Sequence, residues 1–126
     1  MSTELQPPQW LQERVDGKCL HLTSTKDVLN EPEGRELSEF LRHRLEGDAG
    51  EGITAVAMNL SGVALITSPA IGALIVIHKR LATAGRQLIL VELAPMLVET
   101  LSFLKLDRVF TVCPTTGDLD KVIAGG

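Results

Sequence analysis

The sequence contains no tyrosine, one tryptophan and three phenylalanines, so aromatic residues make up only 3% of it. A core without aromatic bulk is filled by Leu, Ile, Val and Ala, residues that suit helices packed on a sheet. Cysteine is equally scarce. Cys19 and Cys113 stand far apart with no local metal-binding spacing, which points to two reduced, partly buried thiols rather than a disulfide framework or a zinc site. His21, His43 and His78 show no paired ligand spacing either. Positive charge is in deficit, with 12 Lys and Arg against 16 Asp and Glu, a net −4. Arg80, Arg86 and Lys105 are dispersed, and no aromatics are interleaved with them. Nucleic acid is therefore an unsuitable partner, because a phosphate backbone demands a basic footprint.

Long apolar runs are also missing. The longest, Ala70 to Ile77, falls far short of the roughly 20 residues a membrane span requires. Met1 to Trp10 carries Pro7-Pro8 and no apolar stretch of the signal-peptide kind. A cytoplasmic protein without direct membrane insertion is expected. Gly-x-Gly-x-x-Gly and Walker patterns are absent, so no phosphate-cradling loop and no cofactor are expected. Neither Gly-x-Ser-x-Gly nor His-Glu-x-x-His occurs, and a non-enzymatic role is expected.

What is present suffices for one compact domain: 126 residues, 44% hydrophobic and 22% charged. The sequence predicts a disordered lead over residues 1–9 and a single domain over 10–126. Leu11, Glu13 and Val15 alternate with Gln12 and Arg14 as a strand does. Asp16-Gly17 marks a hairpin turn, and Leu20 and Leu22 alternate with Cys19, His21 and Thr23 in a second strand. Residues 24–34 are rich in turn formers and predict a loop. Leu37, Phe40, Leu41 and Leu45 follow at helical spacing. Gly47 to Gly52 is a flexible connection. Ile53 to Leu60 is apolar on both alternating faces, the pattern of a central strand covered on both sides. Val63 to Ile66 is another short apolar run.

Ser68-Pro69 predicts a helix start, with serine as N-cap and proline at the first helical position. That helix runs to about Ala84 and stops at Gly85. Ala70, Leu74, Ile77 and Leu81 line its core stripe. Ile71, Ile75 and His78 widen the stripe, and Ala73 and Val76 occupy the remaining face. Such a helix is either deeply buried or meets a partner. A strand over Arg86 to Leu93, a Pro95 helix, a strand over Val109 to Val112 and a short terminal helix holding Leu119, Val122 and Ile123 complete the order β-β-α-β-α-β-α-β-α. The fold class is α/β: a mixed, largely parallel sheet of about five strands with about four helices packed against it.

One stretch is more specific. From Val56 it reads Val-Ala-Met-Asn-Leu-Ser-Gly-Val-Ala-Leu-Ile-Thr-Ser-Pro-Ala-Ile-Gly-Ala-Leu, then a helix to Ala-Gly-Arg-Gln-Leu-Ile-Leu-Val. Leu-Ala-Pro-Met-Leu-Val-Glu-Thr-Leu and Leu-Lys-Leu-Asp-Arg-Val-Phe, ending at Phe110, follow. This resembles the STAS family, found in anti-sigma factor antagonists (anti-anti-sigma factors) and in sulfate-transporter tails. The resemblance is good over about the last 70 residues, whereas the first 50 match in element order alone. That family carries Asp-Ser-Ser-Gly-Leu-Gly at a helix start, and the first serine of the motif accepts a phosphate in the antagonists. Counting back from Gly72 places Ser68 at that serine and Thr67 at the aspartate. Pro69, Ala70 and Ile71 stand at the second serine, first glycine and leucine.

The resemblance implies a bacterial, cytoplasmic phosphoprotein that acts by partner switching. Its phospho-acceptor would be Ser68, with Thr67 as second choice. The partners implied are an anti-sigma factor and serine kinase of the histidine-kinase-like ATPase fold and a metal-dependent Ser/Thr phosphatase. Thr67, Ser68, Pro69, Ala70, Gly72, Ala73 and Val76 would form the docking surface, joined by Lys26, Asp27 and Asn30 from the preceding loop. Self-association stays open. The alternative is a constitutive STAS subunit of a transporter or signalling complex, without phosphorylation control.

Overall fold

A computed structural model describes residues 6–125; of the expected disordered lead, residues 1–5 lie outside the described residues. The strands are β1 (Leu11–Asp16), β2 (Cys19–Ser24), β3 (Val28–Leu29), β4 (Ala55–Asn59), β5 (Leu65–Ile66), β6 (Gln87–Val91) and β7 (Thr111–Cys113). The helices are α1 (Glu31–Arg44), α2 (Ser68–Thr83), α3 (Pro95–Phe103) and α4 (Leu119–Gly125). The main sheet has the order β1-β2-β4-β6-β7. β1 and β2 are antiparallel, and the remaining neighbours are parallel. The mixed, largely parallel α/β sheet read from the sequence is thus the observed one. Among the described residues no helix is long and apolar enough to cross a membrane.

The hairpin closes through Gly17-Lys18. Asp16 pairs with Cys19 and Gly17 has φ +61°, so the glycine supplies the positive φ that a two-residue hairpin turn needs at its first central position. β4 is the middle strand, as its two-sided apolarity requires. Val56 and Met58 join Leu20, Leu22, Leu88 and Leu90 on the front face, beneath Leu37, Phe40, Leu74, Ile77, Leu97 and Leu101 of α1, α2 and α3. Ala55 and Ala57 lie on the back with Cys19, Ile89, Val91 and Cys113, beneath Leu119 of α4. Full burial of each large aliphatic side chain contributes about 1.5–3 kcal/mol, so the front layer carries most of the stability.

Four local features depart from the sequence expectation. β3 and β5 form a small parallel sheet of their own, pairing Val28 with Leu65 and Leu29 with Ile66. α1 begins at Glu31, inside the expected loop, because Asn30 caps it through a capping box with Glu33. Thr67, not Ser68, is the N-cap residue of α2: its backbone is extended (φ −74°, ψ 163°) and its carbonyl accepts from Ile71 N at 2.9 Å. Ser68 is therefore the first helical residue and Pro69 the second. The last strand is Thr111–Cys113 rather than Val109 to Val112, since Lys105 turns left-handed (φ 60°) after α3 and a 3₁₀ turn takes residues 106–108.

Candidate functional site

Parallel strands feed their helices from one end of the sheet, so the loop after β2 and the start of α2 come together there. The β3–β5 pair joins them. Ala64 N and Leu65 N donate to Asp27 O, at 2.7 and 3.2 Å, and Thr67 N donates to Leu29 O at 2.9 Å. The two segments proposed from sequence as one surface, Lys26 to Asn30 and Thr67 onward, are thus adjacent in space.

A chain of side chains then runs across the junction. Lys26 Nζ donates to Glu33 Oε2 at 2.7 Å. Glu33 Oε1 accepts from Asn30 N at 2.8 Å. Asn30 Oδ1 accepts from Glu31 N at 2.8 Å and from the Thr67 hydroxyl at 2.9 Å. Hydrogen bonding from Lys26, and then from the Asn30 amide, holds the Glu33 carboxyl below its ordinary range. The same bond to Glu33 raises the Lys26 ammonium. Glu33 is buried although it is charged, which is tolerable only because both oxygens have partners. Sequence reasoning missed Glu33; the signal was the Asn30-x-x-Glu33 spacing of a capping box.

The two candidate hydroxyls have different surroundings. Thr67 is half-buried and its Oγ1 is committed to Asn30. Ser68 is exposed on the first turn of α2, and that turn carries no acidic residue. The end of a 16-residue helix presents unsatisfied N–H groups and a partial positive charge, which favour an anion. Ser68, Gly72 and Val76, at intervals of four, form an exposed stripe with Pro69 beside it. Lys26, Asp27 and Asn30 are exposed as well, and Ala73 is half-buried.

Ala70 does not belong to this surface. It is 2% exposed because α1 crosses α2 closely at this point. A Cβ on Gly34 would lie 2.8 Å from Ala73 Cβ and 3.2 Å from Ala70 Cα. Gly72 is the opposite case, since a Cβ there would meet nothing within 4 Å. Both cysteines are buried and free, and burial pushes the Cys19 thiol up, away from thiolate chemistry.

A family model for the STAS domain matches residues 35–119. A search of curated proteins finds no match. Among solved structures, the chain is similar to a Thermotoga maritima protein assigned provisionally as an anti-sigma factor antagonist, with TM-score 0.77, 18% identity and coverage of 92% of this chain and 96% of that one. It is similar to the murine Solute Carrier 26 family member A9 anion transporter, with TM-score 0.73 and 15% identity, over 90% of this chain and 19% of the transporter. The anti-sigma factor antagonist SpoIIAA of Bacillus, in its unphosphorylated form, gives TM-score 0.67 and 12% identity over 92% of this chain and 98% of that one. At such identities the likeness is one of fold.

Proposed function

The chain belongs to the STAS domain family, and from that premise we propose that it is a non-catalytic cytoplasmic partner switch of the anti-sigma factor antagonist type. Its unmodified α2 end docks on an anti-sigma factor that is also a serine kinase of the histidine-kinase-like ATPase fold. The kinase phosphorylates Ser68, and a metal-dependent Ser/Thr phosphatase reverses the step. The observation that carries this reading is the exposed Ser68 hydroxyl on a helix end free of acidic residues. A phosphate there adds about −1.5 to −2 charges at neutral pH, and the helix end can hold it without unfolding. A partner surface fitted to the uncharged stripe is then repelled. Thr67 is the poorer acceptor because its hydroxyl already serves Asn30.

Gly72 supports the same surface. A glycine inside a helix costs about 0.5–1 kcal/mol relative to alanine, and among the described residues no neighbour fills the space where its Cβ would be. Bare backbone on the exposed stripe lets a partner approach closely. Gly72→Ala is therefore expected to raise the melting temperature of the isolated protein and to weaken partner binding.

The test takes the anti-sigma ATPases of the source genome with this chain and ATP. Mass spectrometry is expected to place one phosphate on Ser68 and to find none on Ser68→Ala. Calorimetry is expected to show Ser68→Ala binding like the wild type and Ser68→Asp at least about tenfold weaker, a difference of about 1.4 kcal/mol. Equal affinity of the two variants would remove the switch. A second reading, a constitutive subunit of a transporter assembly, draws on the likeness to the anion transporter. It is favoured by stable co-purification with a transporter that Ser68→Asp leaves unchanged.

A further inference from the structure

β1 and β7 are the edges of the main sheet, and β1 is the longer. The direction of the β1 backbone groups follows from two hydrogen bonds. Trp10 O accepts from Thr25 N at 2.8 Å, across to the β2 side, while Leu11 N turns away and donates to Pro8 O at 3.0 Å. Antiparallel pairs alternate between residues bonded to the partner strand and residues directed away from it. Gln12, Arg14 and Asp16 therefore bond to β2. The N–H and C=O groups of Glu13 and Val15 face the open side, where among the described residues no strand pairs with them. Such an edge is a template for another strand unless charges blunt it.

The charges of β1 do not blunt it uniformly. The Glu13 carboxylate is drawn aside by Arg44 Nε at 2.5 Å. Arg14 and Asp16, with side chains 62% and 69% exposed, carry opposite signs and meet each other at 3.5 Å within the chain, an exposed pair that can exchange partners with a second copy. Val15, between them in sequence, is 47% exposed.

We propose that β1 pairs antiparallel with β1 of a second copy of this chain, about a two-fold axis through Val15. Val15 then lies opposite Val15, and the two exchange both backbone hydrogen bonds. Glu13 lies opposite Gly17, and each Arg14 stands opposite Asp16 of the other copy. Only outward-facing residues can bond across the axis, so the symmetric registers are few. The two neighbouring ones place Arg14 against Arg14 or Asp16 against Asp16, and like charges directly opposite are destabilising. Charge complementarity selects the Val15 register. The contact is isologous, as closed two-fold pairing requires. It sits at the hairpin end of β2, whereas the Lys26–Asn30 loop and Ser68 lie at the other end, so both docking surfaces remain open. The reading of Ser68 does not depend on it.

Sedimentation equilibrium on the full chain tests the pairing. A reversible dimer is expected that weakens as salt screens the exposed Arg14–Asp16 pairs. Val15→Pro removes one outward N–H and leaves the β1–β2 ladder bonded, a position where edge strands accept proline. Arg14→Asp sets two acids against each other. Each substitution is expected to weaken the dimer at least about tenfold, and the double exchange Arg14→Asp, Asp16→Arg to restore it. Melting curves check folding, and if Val15→Pro does not fold, the charge exchange decides alone. Three results would overturn the proposal: a monomer at about 1 mM protein, a dimer unaffected by these substitutions, or a double exchange that fails to restore what Arg14→Asp loses. An unaffected dimer would point instead to the exposed Met96 and Phe103 on α3.

Discussion

Glu33 gives the junction between the Lys26–Asn30 loop and α1 a pH response. Its folded carboxyl titrates below the ordinary value of 4.5 because Lys26 and the Asn30 amide bond to it. A depressed carboxyl contributes stability that is fully present above the unfolded value and is lost as pH falls through the folded one. Acid is thus expected to loosen the start of α1 progressively as pH falls below the ordinary value of 4.5, while the start stays firm at neutrality. Glu33→Gln keeps an oxygen for the Asn30 amide and loses the ion pair with Lys26, so a pH-resolved thermal melt should show a shallower loss of stability in acid. At this scale the sequence was partly legible. Ser68 was singled out as a candidate by its place before Pro69 and by motif counting, because a motif ties residue types to positions. Whether Ser68 or Thr67 caps the helix was misread, since both are good caps and only the backbone dihedrals separate them. The Asn30–Glu33 pair was hidden by Pro32 and Gly34, which resemble loop residues.

Between elements, the contact of α1 with α2 is set by one missing side chain. Gly34 lies against Ala70 and Ala73 at less than ordinary van der Waals spacing for a Cβ. Gly34→Ala should improve helix propensity and still lower stability, by about 1–3 kcal/mol, because overpacking outweighs the propensity gain. Ala73→Gly in the same chain removes the closest clash and should recover part of the loss. A chemical denaturation cycle of the four proteins measures that coupling. The core stripe Ala70, Leu74, Ile77 and Leu81 was legible from its 3.6-residue period, and all four residues are buried. The role of Gly34 was not, because a glycine in sequence signals a turn as readily as a close approach. The β3–β5 pair is two residues long on each side, too short to show any period.

Across the whole molecule, the two faces of the sheet are unequally covered. Three helices lie over the Leu-, Val- and Met-rich front, whereas the back meets α4, of seven residues, over alanines and cysteines. Local opening is easiest where buried apolar contacts are few. Hydrogen exchange is therefore expected to proceed in α4 by local opening, well before the amides of β4, which should exchange only on global unfolding. Leu90→Ala, on the front, is expected to cost about 2–5 kcal/mol, readable from the denaturation midpoint. The sheet was legible as a whole because β4 is apolar on both sides and proline or glycine marks most element boundaries.

A different kind of economy resides in Asn30, whose single amide oxygen serves Glu31 and Thr67 at once. Two helices far apart in the chain share one latch, so neither can fray in private. Asn30→Ala should cost about 1 kcal/mol, lowering the midpoint of melting by about 4 °C. Exchange should quicken in the opening turns of both α1 and α2 together, a paired signature that an ordinary cap, serving its own helix alone, would not leave.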